Sequence, residues 1–126
     1  MAIADEAEKM AEKTLLPKDM DALLVARKIQ PSSMRRWVHE GFLPPPSGRT
    51  RRARWPLAAF AEAAVIQHLR HDLVWLRVSP EGLRFAIAAI RQVEAGEKPD
   101  SLNTPLVQEA LPVYREAYRE ALELAR

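Results

Sequence analysis

Three consecutive prolines, Pro44-Pro45-Pro46, followed at once by Ser47-Gly48, divide this chain. Proline offers no N–H and restricts the residue before it, so no helix can run through "FLPPPSGRTRRARWP". The stretch has to be a turn-rich connection between two helical halves. Phe42 and Leu43 are apolar before the prolines, and Arg52-Ala53-Arg54-Trp55 alternates after the turn. That pattern predicts a short two-stranded hairpin, or wing, with Arg49, Arg51 and Arg52 at its tip.

On the N-terminal side, Ile3, Ala7, Met10, Thr14 and Leu15 fall at helical spacing, which predicts a short helix over 1–16 ended by Pro17. Asp19 or Asp21 then caps a second helix with Met20, Leu23 and Leu24 on its apolar side. Lys28-Ile29-Gln30 interrupts it. Pro31 opens another helix, where its missing N–H costs nothing. Met34, Trp37 and Val38 form the apolar stripe of that helix, and Gly41 stops it.

On the C-terminal side, a helix follows Pro56 and is expected to reach Trp75. Ser79-Pro80-Glu81 starts the next one, with Leu83, Ala86, Ile87 and Ile90 on one face. Residues 96–103 read as a polar loop. Thr104-Pro105 opens a last helix, which Pro112 is expected to kink or restart. Its wide apolar band, including Val113, Tyr114, Ala117, Tyr118 and Leu124, must be buried on the domain or on a partner.

Charge narrows the function. The net of +2 hides −3 over residues 1–26, +7 over 27–54 and −2 over 55–126. One basic block between acidic flanks is the footprint of a polyanion-binding surface. The absence of cysteine removes disulfides, thiolate zinc sites and thiol redox chemistry. No apolar run is long enough to span a bilayer, and the acidic start lacks the apolar region of a secretory signal. No paired carboxylates, phosphate-binding glycine loop or nucleophile elbow is present, so an enzyme is not expected. His68 and His71 lack the further ligands a metal needs, and no cofactor is implied.

With Met34, Trp37 and Val38 facing the core, the helix from Pro31 offers Ser32, Ser33, Arg35, Arg36 and His39 to a duplex. The wing adds Arg49, Arg51, Arg52 and Arg54. Trp37 and Trp55 are expected to anchor helix and wing rather than to stack on bases.

The segment "SMRRWVHEGFLPPP" resembles the second helix and exit of the MerR family of bacterial transcription regulators. Ser33, Met34 and Arg35 fall on the family's Thr-Leu-Arg. Arg36 and Trp37 stand at its two tyrosines, and Gly41 to Pro45 keep its Gly-Leu-Leu-Pro-Pro exit. "RRARWPLAAF" is similar to the wing and third helix, and "VSPEGLRFAI" to the turn into the fourth. Lys28 stands where the family has a turn glycine, and Leu57-Ala58-Ala59 replaces its acidic start of the third helix. Excisionase-like winged domains are similar through "RRWVHEGFLP".

The resemblance covers roughly residues 19–92. It implies a mainly α fold, a winged helix-turn-helix with a small two-stranded wing and C-terminal helices. The expected divisions are an N-terminal extension at 1–17, the DNA-binding domain at 18–95 and a C-terminal segment at 96–126. It implies a cytoplasmic, nucleoid-associated transcription regulator that binds double-stranded DNA and is a homodimer through its last helix, with RNA polymerase as a further partner. By the same analogy Arg35 positions the backbone and Arg36 is freer to read a base. The competing readings are an excisionase-like architectural DNA-binding protein and a protein-interaction module, polymerase-, phage- or toxin-associated, whose basic block is a solvated face or an RNA contact.

Overall fold

A computed structural model describes residues 13–49 and 52–126. The protein is mainly helical, with one small two-stranded antiparallel sheet. Strand β1 (Thr14–Leu15) precedes helices α1 (Pro17–Ala26) and α2 (Pro31–His39). Strand β2 (Trp55–Pro56) runs directly into α3 (Leu57–Gln67), and α4 (Pro80–Glu94) and α5 (Pro105–Leu124) follow.

Helix α3 is the centre. Leu57 and every residue from Ala59 to Ile66 are buried. A helix that is apolar all round must be enclosed, and here the other helices enclose it. Helix α5 makes the most extensive contact with it, laying down Val107, Ala110, Tyr114, Ala117 and Ala121. The alanines on both helices let the two backbones approach closely. Helix α4 adds Leu83, Ala86, Ile87 and Ile90, α1 adds Met20 and Leu24, and α2 adds Met34 and Trp37. The core therefore runs across the 95/96 boundary suggested by sequence. Much of the apolar band read as a dimer seam packs within the chain: Tyr114 and Ala117 are buried and Val113 and Tyr118 half-buried, while Leu124 is exposed. Pro112 does not restart α5, which continues from Pro105 to Leu124 with the proline inside it. The carbonyl it leaves without a donor is that of Gln108, on the exposed side, where water can serve it.

The sheet differs from the expected wing. Leu15 pairs with Trp55 and Thr14 with Pro56, in antiparallel register. The other edge of β1 meets the chain end, where the Arg126 N–H donates to the Thr14 carbonyl at 3.0 Å. Thr14 and Leu15 are thus extended rather than helical, and Pro17 starts a helix instead of ending one. Residues 1–12 of the helix expected there lie outside the described residues. No side chain caps α1; Asp19 sits in its first turn, with Oδ2 3.5 Å from Arg126 Nε. Phe42 and Leu43 form no wing strand either, because both are buried in the core. The hairpin is reduced to one bridge, Ser47 with Arg54. Pro44 to Pro46 have no N–H for a ladder, and Ser47 is the first residue after them that has one.

Helices α1 and α2 end alike. Ile29 N–H donates to the Leu24 carbonyl at 2.8 Å and Lys28 N–H to that of Val25 at 3.0 Å. Phe42 N–H donates to Trp37 at 2.9 Å and Gly41 N–H to Val38 at 3.0 Å. Both pairs are Schellman closures, which need a left-handed residue just past the helix. Gly41 takes that conformation freely at φ +85°, but Lys28 takes it at φ +61° with a side chain in the way. The left-handed region costs a non-glycine residue about 1–2 kcal/mol. Lys28→Gly is therefore expected to raise stability by roughly 0.5–1 kcal/mol, net of glycine's greater unfolded-state entropy. Urea denaturation checks the sign, and a lower midpoint would contradict the strained turn.

Glu62 on α3 is 1 % exposed and is the only charged residue buried among the described ones. Arg91 of α4 grips it, with Nε 3.2 Å from Oε1. Burial raises the Glu62 pKa above 4.5, opposed in part by the Arg91 hydrogen bond and charge. The folded state thus holds this proton more tightly than the unfolded chain. The stability it contributes is complete below pH 4.5 and is lost as pH rises through the elevated folded value. Glu62→Gln is expected to flatten that fall, as seen in melting temperature followed upward from pH 4.

Candidate nucleic-acid interface

Helix α2 is two-sided. Trp37 is 2 % exposed, Met34 is buried and Val38 is half-buried against the core. The opposite side turns Ser32, Arg35, Arg36 and His39 to solvent, with Ser33 half-buried. Its C-terminal end is held from elsewhere in the fold. Arg84 of α4 donates from Nη2 to the Glu40 carbonyl at 3.2 Å and lies 4.7 Å from the centroid of the Phe42 ring. Arg70 approaches the same ring at 5.6 Å. A cation at a helix C-terminus is favourable, and the ring adds cation–π attraction.

The arginine loop closes on itself. Ser47 and Arg54 exchange N–H···O bonds of 2.8 Å each, and the Arg52 N–H donates to Arg49 at 3.1 Å. Gly48 has φ +79°, and a Cβ there would lie 2.8 Å from the Arg52 carbonyl oxygen, so the turn admits only glycine. Arg49 and Arg52 are exposed at the tip. Thr50 and Arg51 lie outside the described residues.

The alternation read in sequence places Ala53 and Trp55 inward. They line a hollow of about 690 Å³ with Ser32, Arg35 and His39 of α2 and Met20 and Asp21 of α1. Trp55 packs against the core from there. Arg36 is off this hollow, on the flank of α2. Arg54 is turned to the other side of the loop, in a separate hollow with Lys13 and Thr14, and bonds its own Ala53 carbonyl through Nη1 at 3.0 Å. Of the nine residues expected at the interface, Ser32, Arg35 and His39 are brought together. Arg36, Arg49 and Arg52 flank them in sequence and remain open to solvent.

Four other arginines are held in ion pairs, while Arg70, Arg77, Arg84 and Arg119 make none with a described residue. Arg27, Arg91, Arg115 and Arg126 each meet a carboxylate, on Glu120, Glu62, Glu94 and Asp19. Arg35, Arg36, Arg49, Arg52 and Arg54 make no ion pair with any described residue. Asp21, read from sequence only as a candidate helix cap, and Arg84 were not expected at the site. Asp21 lies in the hollow, where a carboxylate repels phosphate and can accept from a cytosine amino group. No sequence signal could have linked Arg84 to Glu40, because only the packing of α4 brings them together.

No group of three side chains able to hold a metal ion occurs among the described residues. No described helix is long and apolar enough to cross a membrane. Comparison with known protein families, with curated proteins and with solved structures finds no match.

Proposed function

We propose that this protein binds double-stranded DNA through a helix-turn-helix made of α1 and α2. Helix α2 enters the major groove, and the arginine loop lies on the flanking backbone or minor groove. Within that class the reading is a transcription regulator with a MerR-like winged helix-turn-helix. The observation that carries it is the concentration of Arg35, Arg36, Arg49, Arg52 and Arg54 on α2 and the loop, none of them in an ion pair with a described residue. Such a cluster repels itself and is relieved by a polyanion. Helix geometry supports a duplex as that polyanion. A short helix pinned by Trp37 and clamped at Glu40 presents Ser32, Arg35, Arg36 and His39 along one edge, and serine hydroxyls near a helix start suit phosphate.

The test is duplex binding as a function of salt. Five to eight phosphates neutralised give a slope of about −4.5 to −7 in log K against log salt. Lack of binding to either random or selected duplexes at low salt would sink the proposal. Selection from a random duplex pool then supplies the operator.

A further inference from the structure

The basic face has a chemical complement in the same chain. Residues 1–12, read from sequence alone, hold four acids, Asp5, Glu6, Glu8 and Glu12, against one base, Lys9. Ile3, Ala7 and Met10 fall among those acids at helical spacing. The segment joins the described structure at Lys13, which lines a hollow with Ser47 and Arg54 on one flank of the arginine loop. Pro17, just beyond β1, already lines the larger hollow on the other flank, beside α2. That larger hollow is not purely basic. Met34, Val38, Ala53 and Trp55 give it apolar walls, and Arg35 and His39 stand exposed among them. A phosphate backbone satisfies the arginine and has nothing to offer the apolar walls. A segment that interleaves carboxylates with Ile3, Ala7 and Met10 suits both.

We propose that residues 1–12 dock on this face in the protein without DNA, their carboxylates on Arg35, Arg49 and Arg52, and that a duplex has to displace them. Charge selects the place. The segment carries a side-chain charge of −3, residues 27–54 carry +7, and residues 55–126, at −2, repel it. Asp21, on the α1 side of the hollow, has the segment's own sign, so the acids belong on the α2 and loop side. Length allows the contact. Twelve residues measure about 18 Å as a helix, against about 14 Å for α2, and about 40 Å fully extended. Tethering keeps the segment near the face at roughly millimolar effective concentration, so a contact of only about 0.1 mM affinity lowers duplex affinity about tenfold. The docking stands on the arginine face itself, and only the competition rests on the DNA-binding reading.

The chain has no cysteine, so Ala4→Cys gives the full-length protein a unique site for a nitroxide label. Without DNA and at low salt, the label should broaden the amide signals of Arg35, His39 and Arg52 and the indole signal of Trp55. Trp75 is the control. After Gln67 the chain widens into a π turn over His68–Asp72, where the sequence suggests a helix continuing to Trp75, and Trp75 is turned outward, 70 % exposed. Its indole signal should stay sharp. Asp5→Asn, Glu6→Gln, Glu8→Gln and Glu12→Gln together should restore the broadened signals. The same four changes should raise duplex affinity about tenfold at low salt, with the gain shrinking as salt screens the contact. Signals that stay sharp in the labelled chain would overturn the docking, as would broadening that survives neutralisation or grows with protein concentration. Docking with no gain in duplex affinity would overturn the competition. The nitroxide measurement contains no DNA, so a failure of duplex binding is read separately from a failure of docking.

Discussion

Alanine at Arg35, Arg36, Arg49 and Arg52 together is expected to lower duplex affinity about a thousandfold at moderate salt. Each guanidinium on a phosphate contributes on the order of 1 kcal/mol, and each one removed lowers the salt slope by about 0.9. The slope should therefore flatten by roughly 3.6, and binding isotherms at four or more salt concentrations measure both quantities. The single variants divide further. Arg35 lines the hollow with α1 and the loop, so Arg35→Ala should weaken all duplexes alike. Arg36 stands on the open flank of α2, so Arg36→Ala should narrow the gap between selected and random sequences. The four side chains are exposed or outside the core, so the melting temperature should move little. Unchanged affinity in the quadruple variant would mean that these arginines do not meet the duplex.

Trp37→Ala is expected to cost about 3–5 kcal/mol of folding stability, the range for deleting a large buried aromatic. Trp37 is 2 % exposed and is the largest fully buried side chain of α2, and its carbonyl also accepts the Phe42 N–H that closes the helix. Loss of the indole leaves a cavity exactly where α2 rests on the core. A domain of this size has about 5–15 kcal/mol to lose, so the melt should shift far downward and approach unfolding. Duplex binding should fall with it, but for a different reason than in the arginine variants. Circular dichroism separates the two cases. A destabilisation below 1 kcal/mol would mean that α2 is held by other contacts.

Much of the local order was legible. Gly41 stops α2 because a Schellman closure needs a left-handed residue at that step. Ser79 starts α4 because its hydroxyl accepts the Gly82 N–H at 3.0 Å. Met34 and Trp37 face inward because three-residue spacing puts them on one side of a helix. Alternation after Gly48 correctly separated Ala53 and Trp55 from Arg52 and Arg54. These features depend on sterics and hydrogen bonds within a turn or two. The candidate site was half legible for the same reason: periodicity picked out the exposed residues of α2, but not which loop arginines point with them.

The sequence alone determined where helices must break, which α2 residues are buried and where positive charge concentrates. Each follows from proline's missing N–H, glycine's free φ or the period of a helix. The tertiary structure alone decided that Trp55–Pro56 pairs with Thr14–Leu15, that α5 buries much of its band on α3, that Arg84 clamps Glu40 and that Trp75 is turned outward. Each is a choice among distant partners of similar chemistry. Apolar bands fit many surfaces and short strands fit many edges, so packing around α3 makes the selection.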